Sequence, residues 1–335
     1  KAAILLIRLC VDDNMEKVKE QIKAVMIGHA VGDALGVPVE FRDRKELDAI
    51  PVTDMKGFGT YLYPAGCWSD DTSLDSLADG KVDFDEIMHN FGKWLRQDAY
   101  TPTGERFDAG RTCVLAIINY LESRKSINEC GMADEFSNGN GSLMRIHPFA
   151  LMTWFDRTLR PDFESVIGKA SALTHAHERS KLACKIYTLI LFKLLEMPQK
   201  AVIRSALDMA KRRYVENPEY GHYARLFDEN FGKLSVNEIK STGYVVDTLE
   251  AAVWCVLTTD SYMECVLKAV NLGDDTDTVA AVAGGLAGAL YGYDAIPREW
   301  RDTLIKREYI EKMCERAAEA WYTPEHQLRK CGSHR

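Results

Sequence analysis

The 335-residue chain reads as an all-α protein folded into one compact domain, and three observations carry that reading. Apolar residues recur three to four apart through most of the chain, which lines one face of each segment as a helix does. Alternating apolar and polar stretches are scarce, and no strand–helix–strand rhythm appears. No long Gly/Ser or Pro linker, internal repeat or low-complexity segment divides the chain.

The opening residues 2–10 are apolar but far too short to span a bilayer, and they lack a small-residue cleavage site. The chain has no initiator Met, which fits either a trimmed start or an incomplete sequence. Residues 15–36 follow as a helix with Ile22, Val25, Met26, Val31 and Leu35 on one side. Gly28, Gly32 and Gly36 fall on every fourth position, so they share a face and let another backbone approach. Glycine weakens a helix, so such a row implies tight packing. Further helices are expected at 84–97, 112–123, 143–155, 163–173, 178–195, 200–214, 245–257, 262–270, 276–291 and 298–321. The extended loops 43–69, 98–110 and 126–141 each run into a polar motif, where function tends to sit. The expected division is an extension at 1–14, the helical domain at 15–322 and a tail at 323–335.

Composition narrows the function classes. At 46% hydrophobic and 27% charged, the chain is neither disordered nor a small disulfide scaffold. Its formal net charge of −8 argues against nucleic acid as the main partner, since duplex binding needs a basic surplus. The nine Cys are irregularly spaced with no CxxC pair, which suits reduced thiols in a cytoplasmic protein. No membrane partner is expected.

Two acidic segments exceed what packing requires. One is Trp68-Ser69-Asp70-Asp71-Thr72. The other is Gly273-Asp274-Asp275-Thr276-Asp277-Thr278, followed at once by a run of small apolar residues from Val279 that should form a buried helix. Helix capping and the dipole favour one or two carboxylates there, not three within four positions. Crowded carboxylates raise one another's pKa unless protons or cations intervene. An oxygen-only set of Asp, Ser and Thr suits Mg²⁺, Mn²⁺ or Ca²⁺ rather than Zn²⁺. The bland alternative for each segment is a solvated N-cap. An EF-hand loop at Asp274 or Asp275 lacks the required Gly and Glu. Asp275-Thr276-Asp277-Thr278-Val279 also spells a phosphotransfer motif, but that motif ends a strand early in a chain, whereas here it opens a helix near the end.

The motifs together resemble the ADP-ribosylglycohydrolases, especially the bacterial dinitrogenase-reductase-activating branch. The match includes residues 32–41 (Gly-Asp-Ala-Leu-Gly-Val-Pro-Val-Glu-Phe), Trp68 to Thr72, and Phe107-Asp108-Ala109-Gly110. It continues through Asn138-Gly139-Asn140-Gly141-Ser142-Leu143-Met144-Arg145, Thr174-His175-Ala176-His177, residues 243–249 and 272–292. The resemblance implies an all-α fold with two Mg²⁺, or Mn²⁺, at the base of a cleft. It implies Ser69, Asp70, Asp71, Asp275, Asp277 and Thr278 as metal ligands. Glu40 would match a carboxylate on a mobile loop over the reacting sugar, and Asp108 one that assists cleavage and favours an arginine leaving group. Taken alone, Glu40 reads as a surface residue after a helix, and Asp108 as a cap for the helix at Thr112.

The loop of Asn138, Gly139, Asn140, Gly141 and Ser142, broken by glycine before a helix at Leu143, would by resemblance offer N–H groups to a diphosphate, where taken alone it reads as an ordinary turn. By resemblance, His175 contacts the ligand and Tyr244 stacks on adenine; His177 reads as a capping or core residue, and Arg145 fits the ligand loop and a structural role equally. The implied activity is hydrolysis of the bond between ADP-ribose and a protein side chain, with arginine the favoured linkage, on a mono-ADP-ribosylated protein. The alternatives are a protein that binds or neutralises an ADP-ribosyltransferase on the same fold, or a metal-dependent phosphohydrolase.

Overall fold

A computed structural model describes residues 2–74 and 82–322, with the backbone alone for 2–13. The expected tail at 323–335 lies outside the described residues. In chain order the helices are α1 (Ala2–Gly36), α2 (Arg44–Ala49), α3 (Asp70–Ser73), α4 (Phe84–Gln97), α5 (Arg111–Leu121), α6 (His147–Phe155) and α7 (Phe163–Ala172). They continue as α8 (Glu178–Glu196), α9 (Ala201–Tyr214), α10 (Val245–Leu257), α11 (Tyr262–Val270), α12 (Thr276–Tyr291), α13 (Arg298–Thr303) and α14 (Arg307–Trp321). Among the described residues there is no strand, only two isolated bridges, Met132 with His175 and Gly139 with Tyr244. The all-α expectation holds.

The centre of the molecule is the pair α1 and α12, with α10 and α11 packed on α12 and α14 on α1. The glycine row makes that pair possible. A Cβ on Gly28 would lie 2.5 Å from the Gly284 carbonyl oxygen, and one on Gly32 would lie 2.1 Å from that of Ala280. Both are closer than real atoms approach, so any larger residue would force the helices apart. The window of α1 apolar enough to cross a membrane is 89% buried inside the protein, so it serves as a core helix.

Four differences from the sequence reading bear on the site. First, α1 begins at Ala2 rather than residue 15, so its backbone runs unbroken through the expected 14/15 boundary. Second, the expected helix at 298–321 splits. Lys306 takes a left-handed φ of 55°, and the freed Ile305 backbone receives the Trp68 indole N–H at 2.8 Å and donates to Gly66 at 2.9 Å. That break therefore anchors the approach to Ser69. Third, the loop at 43–69 contains α2, capped by the Asp43 carboxylate, which accepts from the Glu46 N–H at 2.9 Å. Fourth, α6 starts at His147, not residue 143. Leu143 and Met144 instead donate their N–H groups to the Asn140 carbonyl, closing a turn before Pro148 starts the helix.

Candidate active site

Ser69 ends an extended segment and caps the short α3, its hydroxyl accepting from the Asp71 N–H at 3.2 Å. The cap is real, but it is not solvated: Ser69, Asp70 and Asp71 are 2%, 3% and 1% exposed. The second acidic segment opens α12 through a left-handed pair, Gly273 and Asp274, with φ of 81° and 60°. That turn delivers Asp275, Asp277 and Thr278 to the buried end of the helix. There the Thr278 hydroxyl donates to the Asp71 carboxylate at 3.3 Å, across 207 residues of chain. The two motifs converge.

What compensates this charge decides what the cluster can do. Asp71, Asp275 and Asp277 each keep one buried carboxylate oxygen without a hydrogen-bond partner. The groups acting most strongly on them are burial, neighbouring carboxylates, hydroxyls and amides, with no Lys or Arg among them. Burial first and neighbouring negative charge second push Asp70, Asp71 and Asp277 well above the ordinary carboxylate range. Burial also raises Asp275, against hydrogen bonds that include one from Asn140. Unpartnered, crowded oxygens of this kind fit a hard divalent cation. Two groups meet that need: one oxygen from each of Asp33, Asp71 and Asp277 lie within 4.8 Å of one another, as do those of Glu40, Asp108 and Asp277.

Asp33 was not singled out from sequence as a site residue. Fully buried on α1, it accepts from the Ser69 N–H at 2.9 Å, the Thr72 N–H at 3.2 Å and the Thr72 hydroxyl at 2.6 Å. Burial raises its pKa to about 6. It orients the whole turn that carries Asp70 and Asp71. The available signal was a lone carboxylate within the buried Gly-row helix.

A cleft of about 250 Å³ opens above these groups, lined by Glu40, Asp70, Asp71, Asp108, Asp275 and Thr278 on its acidic side. Gly139, Asn140, Gly141, Cys113 and His175 line the other side. Glu40 is 4% exposed, so it is not a surface residue. Its position is fixed by neighbours: Phe41 donates to the Asp274 carbonyl, Asp274 donates to that of Arg42, and the Thr60 hydroxyl donates to the Glu40 carbonyl. Burial and the charges of Asp108 and Asp275 raise Glu40 to about 9. Asp108 does not cap a helix; α5 has Gly110 at its N-cap and no side-chain cap. Half-buried, with a left-handed φ of 43°, Asp108 instead faces Asp70 and Glu40, and burial raises it to about 6.

A family model for ADP-ribosylglycohydrolases matches residues 14–327. The chain belongs to the ADP-ribosylglycohydrolase family. It is 33% identical to the ADP-ribosylarginine hydrolase Tri1 of Serratia proteamaculans over 88% of this chain and 78% of that protein. It is 29% identical to the ADP-ribosyl-[dinitrogen reductase] glycohydrolase of Rhodospirillum rubrum over 87% of this chain and 93% of that protein. A solved structure described as an ADP-ribosylglycohydrolase-related protein complex superposes with a TM-score of 0.74 at 28% identity, covering 91% of this chain and 99% of that one.

Within this glycohydrolase fold, the remaining expected ligand contacts divide. His175 lines the cleft with its Nδ1 2.8 Å from the Thr174 hydroxyl, and burial, then Arg145, lowers its pKa to about 3. The imidazole is therefore neutral near pH 7. Gly141 is required beside it: a Cβ there would meet the imidazole at 2.8 Å and the Cys113 sulfur at 2.9 Å. Asn140 turns its amide to the Asp275 carboxylate at 2.9 Å, so it positions an acidic group as well as lining the cleft.

The loop at 138–142 departs from expectation. The Asn140 N–H is bound to the Gly243 carbonyl rather than free, and no helix starts at Leu143. The same turn carries Ser142 into the core, where its hydroxyl accepts from Ser171 at 3.0 Å and lies 3.6 Å from the Cys184 sulfur. Ser142 is fully buried and not a wall of the cleft. Tyr244, just before α10, is not among the residues lining the cleft; its backbone bridges to Gly139, which is, and its hydroxyl lies 3.4 Å from His222 Nδ1. His177 caps α8, accepting from the Arg179 N–H at 3.2 Å. Arg145 is a core residue, donating to the Ala170 carbonyl and the Thr174 hydroxyl.

Proposed function

We propose that this protein hydrolyses the N-glycosidic bond between ADP-ribose and an arginine side chain of a modified protein. The reading rests above all on the Thr278–Asp71 contact, which joins two acidic motifs into one cluster beneath the cleft. The arginine-linked activity named for the similar Tri1 protein supports the same substrate class. Ser69, Asp70, Asp71, Asp275, Asp277 and Thr278 would hold two Mg²⁺ or Mn²⁺ ions. Bound there, the ions would supply Lewis-acid chemistry, fixing sugar hydroxyls and making water more acidic.

The protein's own groups then divide the proton work. Glu40, buried over the cleft beside Asp108, is placed to give a proton to the departing arginine nitrogen or to orient the attacking water. Asp108, which shares the cleft with it, takes the complementary part, with the geometry of the bound substrate deciding which carboxylate does which. The new bond joins the water oxygen to the sugar C1″ as the C1″–N bond breaks, leaving ADP-ribose and unmodified arginine. Such cleavage develops positive charge on the sugar, which the surrounding carboxylates favour.

The domain at 15–322 is the proposed catalytic unit, and the buried free thiols suit a cytoplasmic setting. The direct test is incubation with ADP-ribosyl-arginine and ADP-ribosyl-serine peptides, with and without EDTA. Release of ADP-ribose from the arginine peptide, abolished by EDTA and restored by Mg²⁺ or Mn²⁺, is the expected result. Release from neither peptide would refute the assignment.

A further inference from the structure

The reaction as proposed gives no role to residues 57–66, yet this loop is built onto both proton-handling carboxylates. The Phe58 N–H donates to the Tyr63 carbonyl at 2.7 Å and closes the loop on itself. Thr60 fastens its centre to the Glu40 segment: its N–H donates to the Pro38 carbonyl at 2.8 Å and its hydroxyl to that of Glu40 at 2.7 Å. Gly59 passes so near that a Cβ would lie 1.7 Å from the Pro38 carbonyl oxygen. On the other flank, the Tyr61 ring packs on Phe107, the residue before Asp108, with ring centroids 4.9 Å apart. Tyr63 stacks on the same ring at 4.5 Å. Tyr61 is thus seated between the two segments that carry Glu40 and Asp108, next in chain to Thr60 on one side and against Phe107 on the other, with both carboxylates among the charged groups its phenol feels.

We propose that Tyr61 is a positioning residue of the glycohydrolase site, its phenol setting the separation and orientation of Glu40 and Asp108. The inference rests on the hydrolase reading for its kinetic consequence, but not for its geometric one. Burial and both neighbouring carboxylates push the phenol above its ordinary range, so it stays a neutral hydrogen-bond donor. A neutral phenol can bridge two carboxyl groups by donating its one O–H to one of them and accepting from the other when that one is protonated. Its seat on Phe107 fixes where that donor points, and displacements of about 1 Å in a catalytic group can cost roughly 100-fold in rate.

Tyr61→Phe keeps the ring on Phe107 and removes only the hydroxyl. On ADP-ribosyl-arginine, kcat should fall about 10- to 100-fold. KM, affinity for free ADP-ribose and Tm should stay near the parent's. Phe107→Leu, which keeps the hydroxyl but removes its seat, should lower kcat in the same direction. An unchanged kcat in Tyr61→Phe, or a loss explained by KM alone, would overturn the proposal. If the parent protein releases ADP-ribose from neither peptide, the function assignment fails, and crystal structures of the parent and Tyr61→Phe then decide this one. Displaced Glu40 and Asp108 carboxyls in the variant support it; superimposable ones overturn it.

Discussion

Asp277 has one carboxylate oxygen bound by the Thr278 N–H at 2.9 Å and the other buried without a partner. A polar atom left so costs about 1–3 kcal/mol, and a charged one more. Its retention makes sense where a cation binds. Asp277→Ala should therefore lose divalent-ion binding together with turnover, by about 10³-fold given several kcal/mol of Lewis-acid assistance. Circular dichroism should show the helices intact. Asp33→Asn probes the supporting layer: with both Ser69 and Thr72 held by that carboxylate, metal affinity should drop about 10- to 100-fold. Isothermal titration with Mn²⁺ would read either change. At this scale the sequence was most informative where residue types crowd against ordinary expectation, as in Asp275 and Asp277. It was silent on Asp33, whose importance lies in the direction of its side chain, and on Tyr61, which reaches Glu40 only through the loop. It also misplaced Ser142, because a turn at Asn140 decides that side chain's direction and spacing does not.

Helices with strong apolar periodicity were legible to the residue. Those at 84–97, 245–257, 262–270 and 276–291 begin and end where the periodicity placed them, and the structure shows Asp83 and Ser261 capping two of them with their side chains. The glycine row of α1 was legible too, since only a close backbone explains it. Gly32→Val should therefore destabilise the protein by about 3 kcal/mol or more, because nothing in the Ala280 backbone can yield. Gly221→Ala, with open space around its Cβ position, should be close to neutral in the same denaturant titration. What could not be read were changes forced by tertiary demand. The break at Lys306 exists because Gly66 and Trp68 need the Ile305 backbone. The late start of α6 exists because Asn140 captures the preceding N–H groups.

Across the whole molecule, the site places a knot of buried carboxyls at the end of its central helix pair. A carboxyl whose folded pKa exceeds its unfolded value binds its proton more tightly in the folded chain. Folding stability then falls as pH rises between those two values. Asp33 and Asp108 at about 6 and Glu40 at about 9 all lie above the ordinary 3.8 to 4.5, so the metal-free protein should lose stability from about pH 4 upward to about 9. Saturating Mg²⁺ should accordingly raise Tm more at pH 8 than at pH 5, as differential scanning calorimetry would register; an equal shift at both would count against the coupling. The overall charge of −8 points the same way, since self-repulsion grows as the carboxyls ionise. Fold class, the pairing of distant acidic motifs and much of the cleft's second wall, through Asn140, Gly141 and His175, were thus available before any coordinates, whereas the place of Cys113 in that wall was not.

The measurement that bears most directly on the account is Mn²⁺ binding followed by electron paramagnetic resonance in the parent, Asp71→Asn and Asp277→Asn proteins. Two spin-coupled ions in the parent, with either substitution alone disrupting the coupled pair, is the expected outcome. Binding that ignores one motif when the other is changed would contradict a shared site.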